Sequence, residues 1–387
     1  MANPLLSIVI PTRNRQHYAY LFIKSLLGTK ESFELIVNDN SDTKELEEKL
    51  TPYKSDSRLN YSYSSEVLSV VENFNSGLSK TTGEYVVFVG DDDFISFRIF
   101  DFVRDLKSKE IDTVVFGRKN SVLHYFWPGV KAAQWGDVGG HIYFSDFHGK
   151  LQFLDKKSIS DFAIEHLGTG PREMPRAYLG IISRNVINKV TEKYGFVFGG
   201  VSPDVYSSHL ICDVARNVLR YDFPMIIPGA AAASTSAQRA ERSDVGGDLK
   251  KNDHTGRFKN IDWNMKIPKY YAPFTVWALS LFQATLLTKT KVSEKAYAHL
   301  YAQCLLFARG HTAEVKKAMK HDRSTIGFLV ISILTGFKMA EILTHFVLSK
   351  SLVFIRQKPG GAKYGLEGFE NIEMAVSAME NQLKLNT

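Results

Sequence analysis

The sequence has few cysteines and no secretion signal, and both absences narrow the class of protein. Cys212 and Cys304 are too few for a disulfide framework and lack the paired spacing of a metal site. A reducing, cytoplasmic setting is therefore expected. The N-terminal residues, MANPLLSIVIPTRNR, lack the basic start of a signal peptide, and their apolar run has only strand length. We expect this segment to begin the fold.

Long apolar runs are also missing, although residues 326–337 and 342–354 are both strongly apolar. Each run falls short of the roughly 18 to 20 residues that cross a bilayer, because Lys338 and Glu341 interrupt them. One interpretation is buried helices of a helical subdomain. The other is an interfacial surface on an anionic membrane, since residues 251–387 contain 19 basic and 10 acidic side chains in a chain of net charge +7. Nucleic acid is not an expected partner, because no binding motif accompanies the charge.

What the sequence does contain is a regular alternation of strand and helix patterns up to residue 117. Each unit is typical of a βαβ element, so the pattern predicts an α/β fold with a mostly parallel sheet flanked by helices. From Trp263 onward the pattern is helical, which predicts a C-terminal helical subdomain. The predicted strands are residues 5–10, 33–37, 61–64, 85–89 and 113–116, and the predicted helices between and after them include 18–27, 67–79, 97–108 and 205–219.

The most informative stretch is GEYVVFVGDDDF, in which an apolar strand runs directly into Asp91, Asp92 and Asp93. Three carboxylates cannot all stay ionised in a dry place without a counter-cation, and a divalent metal shared with phosphate would supply one. A solvated acidic loop is the alternative. The position favours a site, because ligands of open α/β sheets bind outside the carboxyl ends of the strands.

Phosphate would need unusual ligands here, because both common glycine-rich phosphate loops are absent. Neither Gly-x-Gly-x-x-Gly nor the Walker lysine loop occurs in the sequence. Phosphates would then be held by the metal and by side chains such as Arg13 or Arg15. A polar cluster also follows the second strand, at residues 38–42, and should converge on the same crevice as the aspartates.

Further along the chain, two segments are candidates for a place beside the same crevice. Residues 118–175 are rich in aromatic side chains, which suit either stacking on sugar rings or a hairpin with its own small core. Asp204 follows Ser202 and Pro203 at the start of a predicted helix, where the helix dipole alone would explain an acidic residue. His209, Cys212 and Asp213 are expected to serve in packing and on the helix surface, and His254 to lie in a solvated loop.

Taken together, these motifs resemble glycosyltransferase family 2, whose fold is called GT-A. The resemblance lies in SIVIPTRNR, in IVNDNSD and in ENFNSGLSKTTGEYVVFVGDDD, and continues more weakly through MPRAYLGIISR and SPDVYSSHL. It implies a GT-A domain at residues 1–236, with a nucleotide-sugar half at 1–117 and an acceptor half at 118–236. A mobile loop or linker at 237–260 and a basic helical region at 261–387 would follow.

The resemblance also implies roles for individual residues. Nucleotide-sugar binding would fall to Pro11, Thr12, Arg13, Asp39, Asn73, Asp91 and Asp93, with Asp39 on the base. The metal, Mn²⁺ or Mg²⁺, would be held by Asp92 and Asp93, because Gly90 stands where many members have the first aspartate of their motif. Asp204 occupies the place of the catalytic base in inverting members.

The implied reaction is transfer of a sugar from a nucleoside diphosphate sugar to a saccharide or polyprenyl-linked acceptor in bacterial surface polysaccharide synthesis. The enzyme would be cytoplasmic, either free or peripheral on the inner face of the plasma membrane. Two alternatives are open: a sugar-phosphate nucleotidyltransferase, which would want a glycine-rich basic loop after the first strand, and a non-catalytic nucleotide-binding scaffold.

Overall fold

The computed structural model of the protein describes residues 3–117, 121–232 and 246–383. The strands are β1 (Leu6–Thr12), β2 (Glu34–Asp39), β3 (Leu59–Tyr63), β4 (Tyr85–Phe88), β5 (Phe94–Ile95), β6 (Thr113–Phe116), β7 (Leu123–Phe126), β8 (Lys131–Ala132), β9 (Gly136–Asp137), β10 (His141–Phe144), β11 (Leu151–Leu154), β12 (Gly180–Ser183), β13 (Val218–Tyr221), β14 (Ile226–Ile227), β15 (Gly229–Ala230) and β16 (Tyr364–Leu366).

The helices are α1 (Gln16–Leu27), α2 (Glu45–Lys49), α3 (Val70–Ser79), α4 (Ile99–Ser108), α5 (Lys156–Glu165), α6 (Arg184–Tyr194), α7 (Pro203–Val214), α8 (Pro273–Leu287), α9 (Glu294–Phe307), α10 (Thr312–Lys320), α11 (Thr325–Arg356) and α12 (Ile372–Leu383). Short 3₁₀ turns lie at Thr51–Tyr53, Arg309–His311 and Pro359–Gly361. The five strands and first three helices predicted up to residue 117 are present, with bounds that differ by a few residues at most.

A central sheet of eight strands carries the N-terminal part, in the order β11-β13-β6-β12-β4-β1-β2-β3. The neighbours β4, β1, β2 and β3 are all parallel, and β13 is parallel to β6, whereas β12 and β11 run antiparallel to their neighbours. The predicted fold class, a mostly parallel α/β sheet flanked by helices with a helical C-terminal region, is confirmed. Because β1, β2 and β4 are adjacent and parallel, their carboxyl ends meet at one edge.

The sheet is buried on both faces, which explains why its strands are continuously apolar. Alternate side chains point to opposite faces: Val9 and Phe88 join a core with α3, α7, α8 and α9, while Ile8 and Val87 join a second core with α1 and α4. The strand that leads into the aspartates is therefore fixed from both sides.

The predicted helix over residues 205–219 is too long. Helix α7 ends at Val214, and Ala215 is already extended, with ψ of 139°. Residues 218–221 then form β13, which pairs with β6 and β11. Tertiary pairing overrides the helical pattern here, because a strand at this position extends the sheet.

The aromatic segment 118–175 forms a structural core rather than an open platform for sugar rings. Its strands β7 and β10 pair with β15 and β16 in a second, four-stranded sheet. Tyr125, Trp127 and Phe144 are buried in the core between this sheet and the main sheet. Their faces are occupied by other apolar side chains, so the hairpin interpretation of this segment is the one that the structure supports.

The C-terminal region differs from the expected all-helical subdomain at its far end. Helices α8 to α10 are present, as the helical pattern predicted, and they pack on the main body, but β16 pairs with β10 and α12 packs on the same side. Residues 364–383 thus return to the N-terminal part. This return was not visible in the sequence, because a three-residue strand carries too little pattern to be recognised.

The two apolar runs near residue 340 are a single helix, so the prediction of separate buried helices is wrong. Helix α11 is 32 residues long and continues through Lys338 and Glu341, which pair with each other at 2.6 Å. Among the described residues, α11 is the one helix whose length and composition would allow it to cross a membrane. Only 11% of its most apolar 18-residue stretch is buried. Many of its apolar side chains are exposed.

The predicted mobile loop at 237–260 lies partly outside the described residues, which resume at residue 246. From there the chain makes defined contacts with the main body. His254 Nε2 lies 2.7 Å from the Val201 carbonyl oxygen, and Arg257 Nη1 donates to Asn40 Oδ1 at 3.0 Å. The expectation of a solvated His254 is wrong, because its ring is packed against the start of α7.

The buried His209 should make the stability of the fold depend on pH. Its ring lies within hydrogen-bond distance of Ser160 and Thr288, and burial lowers its pKa from 6.5 to about 4. As the pH falls below 6.5 the unfolded chain takes up the proton first. The stability associated with a neutral His209 is therefore present above pH 6.5 and falls by roughly 2 kcal/mol between pH 6.5 and 5.

His209→Gln should accordingly cost more stability at pH 7 than at pH 5, by about that amount. Urea unfolding of both proteins at the two pH values measures the difference, and other titrating groups cancel because both proteins share them. An equal cost at both pH values would contradict the assignment.

Candidate active site

The candidate site lies where β1, β2 and β4 end. In the register of the sheet Thr12 is opposite Asp39, and the Asn40 amide donates to the Thr12 carbonyl at 3.0 Å. The aspartates that follow β4 are joined to the same edge by Thr12, whose hydroxyl donates to Asp91 Oδ2 at 2.8 Å. The convergence predicted from the strand order is therefore present.

All three aspartates are buried, with 0%, 4% and 2% of Asp91, Asp92 and Asp93 exposed. The solvated-loop alternative is therefore wrong. Arg15 bridges the first two: its Nη2 lies 2.9 Å from Asp91 Oδ1 and its Nη1 lies 3.1 Å from Asp92 Oδ1. A guanidinium shared between two buried carboxylates offsets part of the cost of removing their charges from water.

The remaining carboxylate oxygens are held by backbone amides and a tyrosine. The Ala231 amide donates to Asp92 Oδ2 at 3.1 Å, and the Gly229 amide donates to Asp93 Oδ1 at 2.8 Å. Tyr178 donates its hydroxyl to Asp93 Oδ2 at 2.6 Å. The three side chains thus point to different partners and do not form one interchangeable acidic cluster.

The charges of this cluster are strongly perturbed. Burial raises the pKa of Asp91, the Arg15 guanidinium opposes that rise, and Asp92 adds to it. Burial, followed by the neighbouring Asp92 charge, also raises the pKa of Asp93. Perturbed carboxylates in a crevice are typical of functional sites, and a further cation would be favourable beside them.

A divalent metal fits this site only as an ion shared with a ligand. Within the described part of the chain, no three Asp, Glu, His or Cys side chains are grouped as a ready-made metal site. Both oxygens of Asp93 accept hydrogen bonds, so coordination by Asp93 would require one bond to be exchanged. Asp92 Oδ1 faces Arg15 alone, and one carboxylate plus substrate phosphates is a usual donor set for Mg²⁺.

The predicted nucleotide-binding residues fall into two groups. Asp39 is buried at the end of β2, where the Tyr61 hydroxyl donates to Oδ2 at 3.0 Å and the Ser41 amide to Oδ1 at 2.9 Å. Pro11 and Thr12 end the neighbouring strand β1. These residues border the same crevice as the aspartates.

Arg13 and Asn73 point elsewhere. The Arg13 side chain pairs with the exposed Asp42 at 3.2 Å, and only the Arg13 backbone contacts Asp91, so among the described residues the guanidinium beside the aspartates is that of Arg15. The amide of Asn73 accepts a hydrogen bond from Asn38 on β2 and supports that strand from α3. Reaching a ligand would require either side chain to leave its present partner.

Asp204 lies in the first turn of α7, with Ser202 as the N-cap residue and Pro203 as the first helical residue, as predicted. The Ser202 hydroxyl donates to Asp204 Oδ1 at 2.6 Å. The backbone that leads into α7 is held by Ser280, whose hydroxyl oxygen accepts hydrogen bonds from the Val201 and Ser202 amides. His254 contacts the same segment, so several elements position this carboxylate.

Arg176 and Tyr178 connect the Asp204 region with the aspartates electrostatically. Burial lowers the pKa of Arg176, and the charge of Asp204 opposes this, followed by Tyr178. Tyr178 in turn donates to Asp93. Both residues lie in the segment MPRAYLGIISR, where the family resemblance is weak, and nothing in that pattern indicated their roles.

Two more residues were missed by the sequence analysis because their role is steric. Trp127 donates its indole N–H to the Asp92 carbonyl at 2.8 Å, so one of the aromatic residues supports the acidic loop from behind. Gly229 lies so close to the loop that an added Cβ would be 1.7 Å from the Asp92 carbonyl oxygen. A single glycine in a short strand gives no sequence signal for such an approach.

The sheet and its acidic edge define an α/β protein with a ligand site at the carboxyl ends of its strands. Residues 7–157 match the sequence model of Glycosyl transferase family 2. The match covers less than half of the chain, and it includes Arg15 and the acidic loop.

Two curated relatives match over short segments. An uncharacterized glycosyltransferase of Rickettsia bellii is 32% identical over 88 residues, which cover 22% of this chain and 13% of that protein. The GalNAc(5)-diNAcBac-PP-undecaprenol beta-1,3-glucosyltransferase of Campylobacter jejuni is 36% identical over 95 residues, covering 23% of this chain and 30% of that protein. This chain thus spans less than a third of the length of either relative.

Among solved structures, residues 1–349 of S. aureus TarS in complex with UDP-GlcNAc are 14% identical to this chain. The match covers 86% of this chain and 89% of that one, with a TM-score of 0.45.

Gly229→Ala should disrupt the acidic loop without preventing folding of the sheet. The added methyl group must displace the Asp92 carbonyl. The backbone shift then moves the carboxylates of the acidic loop as well. We expect nucleoside diphosphate affinity, measured by calorimetry, to fall at least about tenfold while the circular dichroism spectrum is kept.

Gly310→Ala is the matched control, because a Cβ at that glycine has no neighbour within 4 Å. Equal affinity in Gly229→Ala and Gly310→Ala would show that the loop geometry does not matter for binding.

Proposed function

We propose that the protein is a glycosyltransferase that moves a sugar from a nucleoside diphosphate sugar, UDP-linked, to a hydroxyl group of its acceptor with inversion at the anomeric carbon. The observation that carries this proposal is the buried acidic loop held by Arg15 at the carboxyl edge of a family 2 domain. Support for the donor class comes from the position of Asp39, Thr12 and the aspartates around one crevice.

Inversion needs a base that removes the proton of the acceptor hydroxyl as its oxygen attacks the anomeric carbon. Asp204 is our candidate. Its Oδ1 accepts the Ser202 hydroxyl proton in a hydrogen bond, and its Oδ2 has no such partner among the described residues, which leaves that oxygen free for the acceptor. The bond between the anomeric carbon and the diphosphate oxygen breaks as the new bond forms.

The departing diphosphate carries negative charge that must be stabilised. A Mn²⁺ or Mg²⁺ ion held by Asp92 would act as the Lewis acid for this leaving group. Arg15 already lies between Asp91 and Asp92, so its guanidinium is placed to donate to phosphate oxygens if one ion pair is exchanged. The segment from residue 246 onward contacts both Asn40 and Val201, and would hold the two halves of the site together.

The acceptor is proposed to be a saccharide on a lipid diphosphate, in the synthesis of a bacterial surface polysaccharide such as O-antigen or capsule. The Campylobacter jejuni relative is named for an acceptor of this class, GalNAc(5)-diNAcBac-PP-undecaprenol. The exposed apolar helix α11 and the basic C-terminal third favour work at an anionic membrane surface, which would place the protein peripherally on the inner face of the plasma membrane.

The nucleotidyltransferase alternative is disfavoured by the first turn of the fold. The turn from β1 to α1 contains Thr12, Arg13, Asn14 and Arg15 and no glycine, and Arg15 is engaged by carboxylates. The scaffold alternative predicts no chemistry at all, so slow hydrolysis of a nucleotide sugar by the purified protein would exclude it.

Asp204→Asn should reduce the transfer rate by about 10² to 10⁴, because general-base catalysis typically contributes that much. The amide keeps the shape of the side chain, so donor affinity should change little. The measurement is kcat for transfer alongside calorimetric donor binding.

Asp213→Asn on the same helix is the control for this variant, since Asp213 pairs with Lys193 and Tyr194 on the protein surface. Transfer by Asp204→Asn within a few fold of wild type would remove Asp204 from the base role.

Asp92→Ala should abolish the dependence of donor binding on Mn²⁺ or Mg²⁺. With the carboxylate gone, the ion loses its protein ligand, and donor affinity should become equal in the presence and absence of EDTA. Titration calorimetry measures both conditions, with Asp101→Ala as a control on an exposed carboxylate. If wild-type affinity is itself unaffected by EDTA, the metal assignment is wrong.

A further inference from the structure

A cavity of about 1520 Å³ lies beside the proposed catalytic crevice, between the main body and the long helix α11. Its walls come from the end of β6 and the following segment, from residues 166–179, from α9 and from the inner side of α11. None of the three aspartates lines it, so it is a separate space. Its volume exceeds the few hundred to a thousand Å³ of a usual small-molecule pocket, which favours a large ligand.

One part of the cavity is cationic. Arg172 lines it and makes no hydrogen bond or ion pair with the described residues, while Arg176 lines it with its Nε buried and without a hydrogen-bond partner. Arg176 is the more buried member of this pair, and burial lowers its pKa, whereas Arg172 is exposed. Cations held in this way favour an anion that accepts their hydrogen bonds.

The acidic residues in the wall do not meet that need. Glu173 pairs with Arg220, and Glu341 pairs with Lys338 and lies 3.8 Å from the His166 ring. Among the described residues, these carboxylates pair with side chains other than Arg172 and Arg176, so the two guanidinium groups are open to the anion of a ligand.

The other part of the cavity is apolar and leads to the surface helix. Ile342 and Phe346, one turn apart on α11, line it together with Phe162 and Phe307. The opposite side of α11 is also apolar and faces solvent, with exposed side chains at Ile326, Val330, Ile333, Phe337 and Val347. At 1.5 Å per residue the helix is about 48 Å long, so an apolar surface runs well beyond the cavity.

From this pairing of unmatched cations with an apolar wall we infer that the cavity binds the diphosphate end of a lipid-linked acceptor. Arg172 and Arg176 would donate to the diphosphate, and the inner side of α11 would cover the first part of the apolar chain. The inference rests on the proposed glycosyltransferase function, and it adds the site at which the acceptor binds.

The test uses three small probes on the full chain. Farnesyl diphosphate carries both the anion and an apolar chain, inorganic pyrophosphate carries the anion alone, and farnesol carries the chain alone. By calorimetry in vesicle-free buffer, farnesyl diphosphate should bind at least tenfold more tightly than either part. No binding of farnesyl diphosphate, or equal binding of pyrophosphate, would overturn the inference.

Two variants test the two walls separately. Arg172→Gln should lower the affinity for farnesyl diphosphate and for pyrophosphate at least tenfold. Because the side chain is exposed, the fold should tolerate the change. Ile342→Asn should lower the affinity for farnesyl diphosphate and leave the affinity for pyrophosphate unchanged. Arg309→Gln, on an exposed arginine outside the cavity, should change neither, and an equal effect of Arg309→Gln would overturn the assignment to Arg172.

Donor binding separates this inference from the function on which it rests. Arg172→Gln should keep wild-type affinity for the nucleoside diphosphate. If the wild type binds nucleotide but not farnesyl diphosphate, only the acceptor cavity is wrong. If the wild type binds no nucleoside diphosphate at all, the proposed function fails with it.

Discussion

The structure depends on keeping three carboxylates buried at the end of β4. Burial of such charges is costly, and here partners come from three other parts of the chain: Arg15 from the first turn, Tyr178 from the segment before β12, and the amides of Gly229 and Ala231 from the end of the sheet region. The acidic loop therefore ties together four segments that are distant in sequence. Its charge is only partly compensated, which is the physical reason to expect a cationic cofactor with an anionic substrate.

The C-terminal third is built onto this site instead of forming a separate unit. Ser280 on α8 holds the backbone before Asp204, and His254 contacts the Val201 carbonyl in the same segment. Arg257 donates to Asn40, which follows Asp39, the residue proposed to bind the nucleobase. Helix α11 then closes the large cavity next to Arg176. The donor side, the proposed base and the proposed acceptor cavity are thus linked by packing. A ligand bound in one space therefore affects side chains that border the next.

The sequence was sufficient for five of the eight sheet strands, β1 to β4 and β6, and for the location of the aspartates, because strands buried on both faces leave a continuous apolar pattern that local reasoning detects. It was insufficient wherever a long-range contact decides. Arg15 and Arg13 are indistinguishable by pattern, yet only Arg15 meets Asp91 and Asp92. The break after Val214 and the return of β16 likewise depend on pairing between residues far apart in the sequence. Helix α11 instead continues through Lys338 and Glu341, which pair with each other one turn apart.

The central claim is that the edge of β1, β2 and β4 binds a nucleoside diphosphate, with Asp39 recognising the base. Calorimetry of wild type and Asp39→Ala with a panel of nucleoside diphosphates tests it most directly. The account predicts that wild type prefers one nucleotide and that Asp39→Ala loses that preference and at least tenfold in affinity, because a buried hydrogen bond to a charged group is removed. Binding of no nucleoside diphosphate by wild type, or equal binding by both proteins, would contradict it.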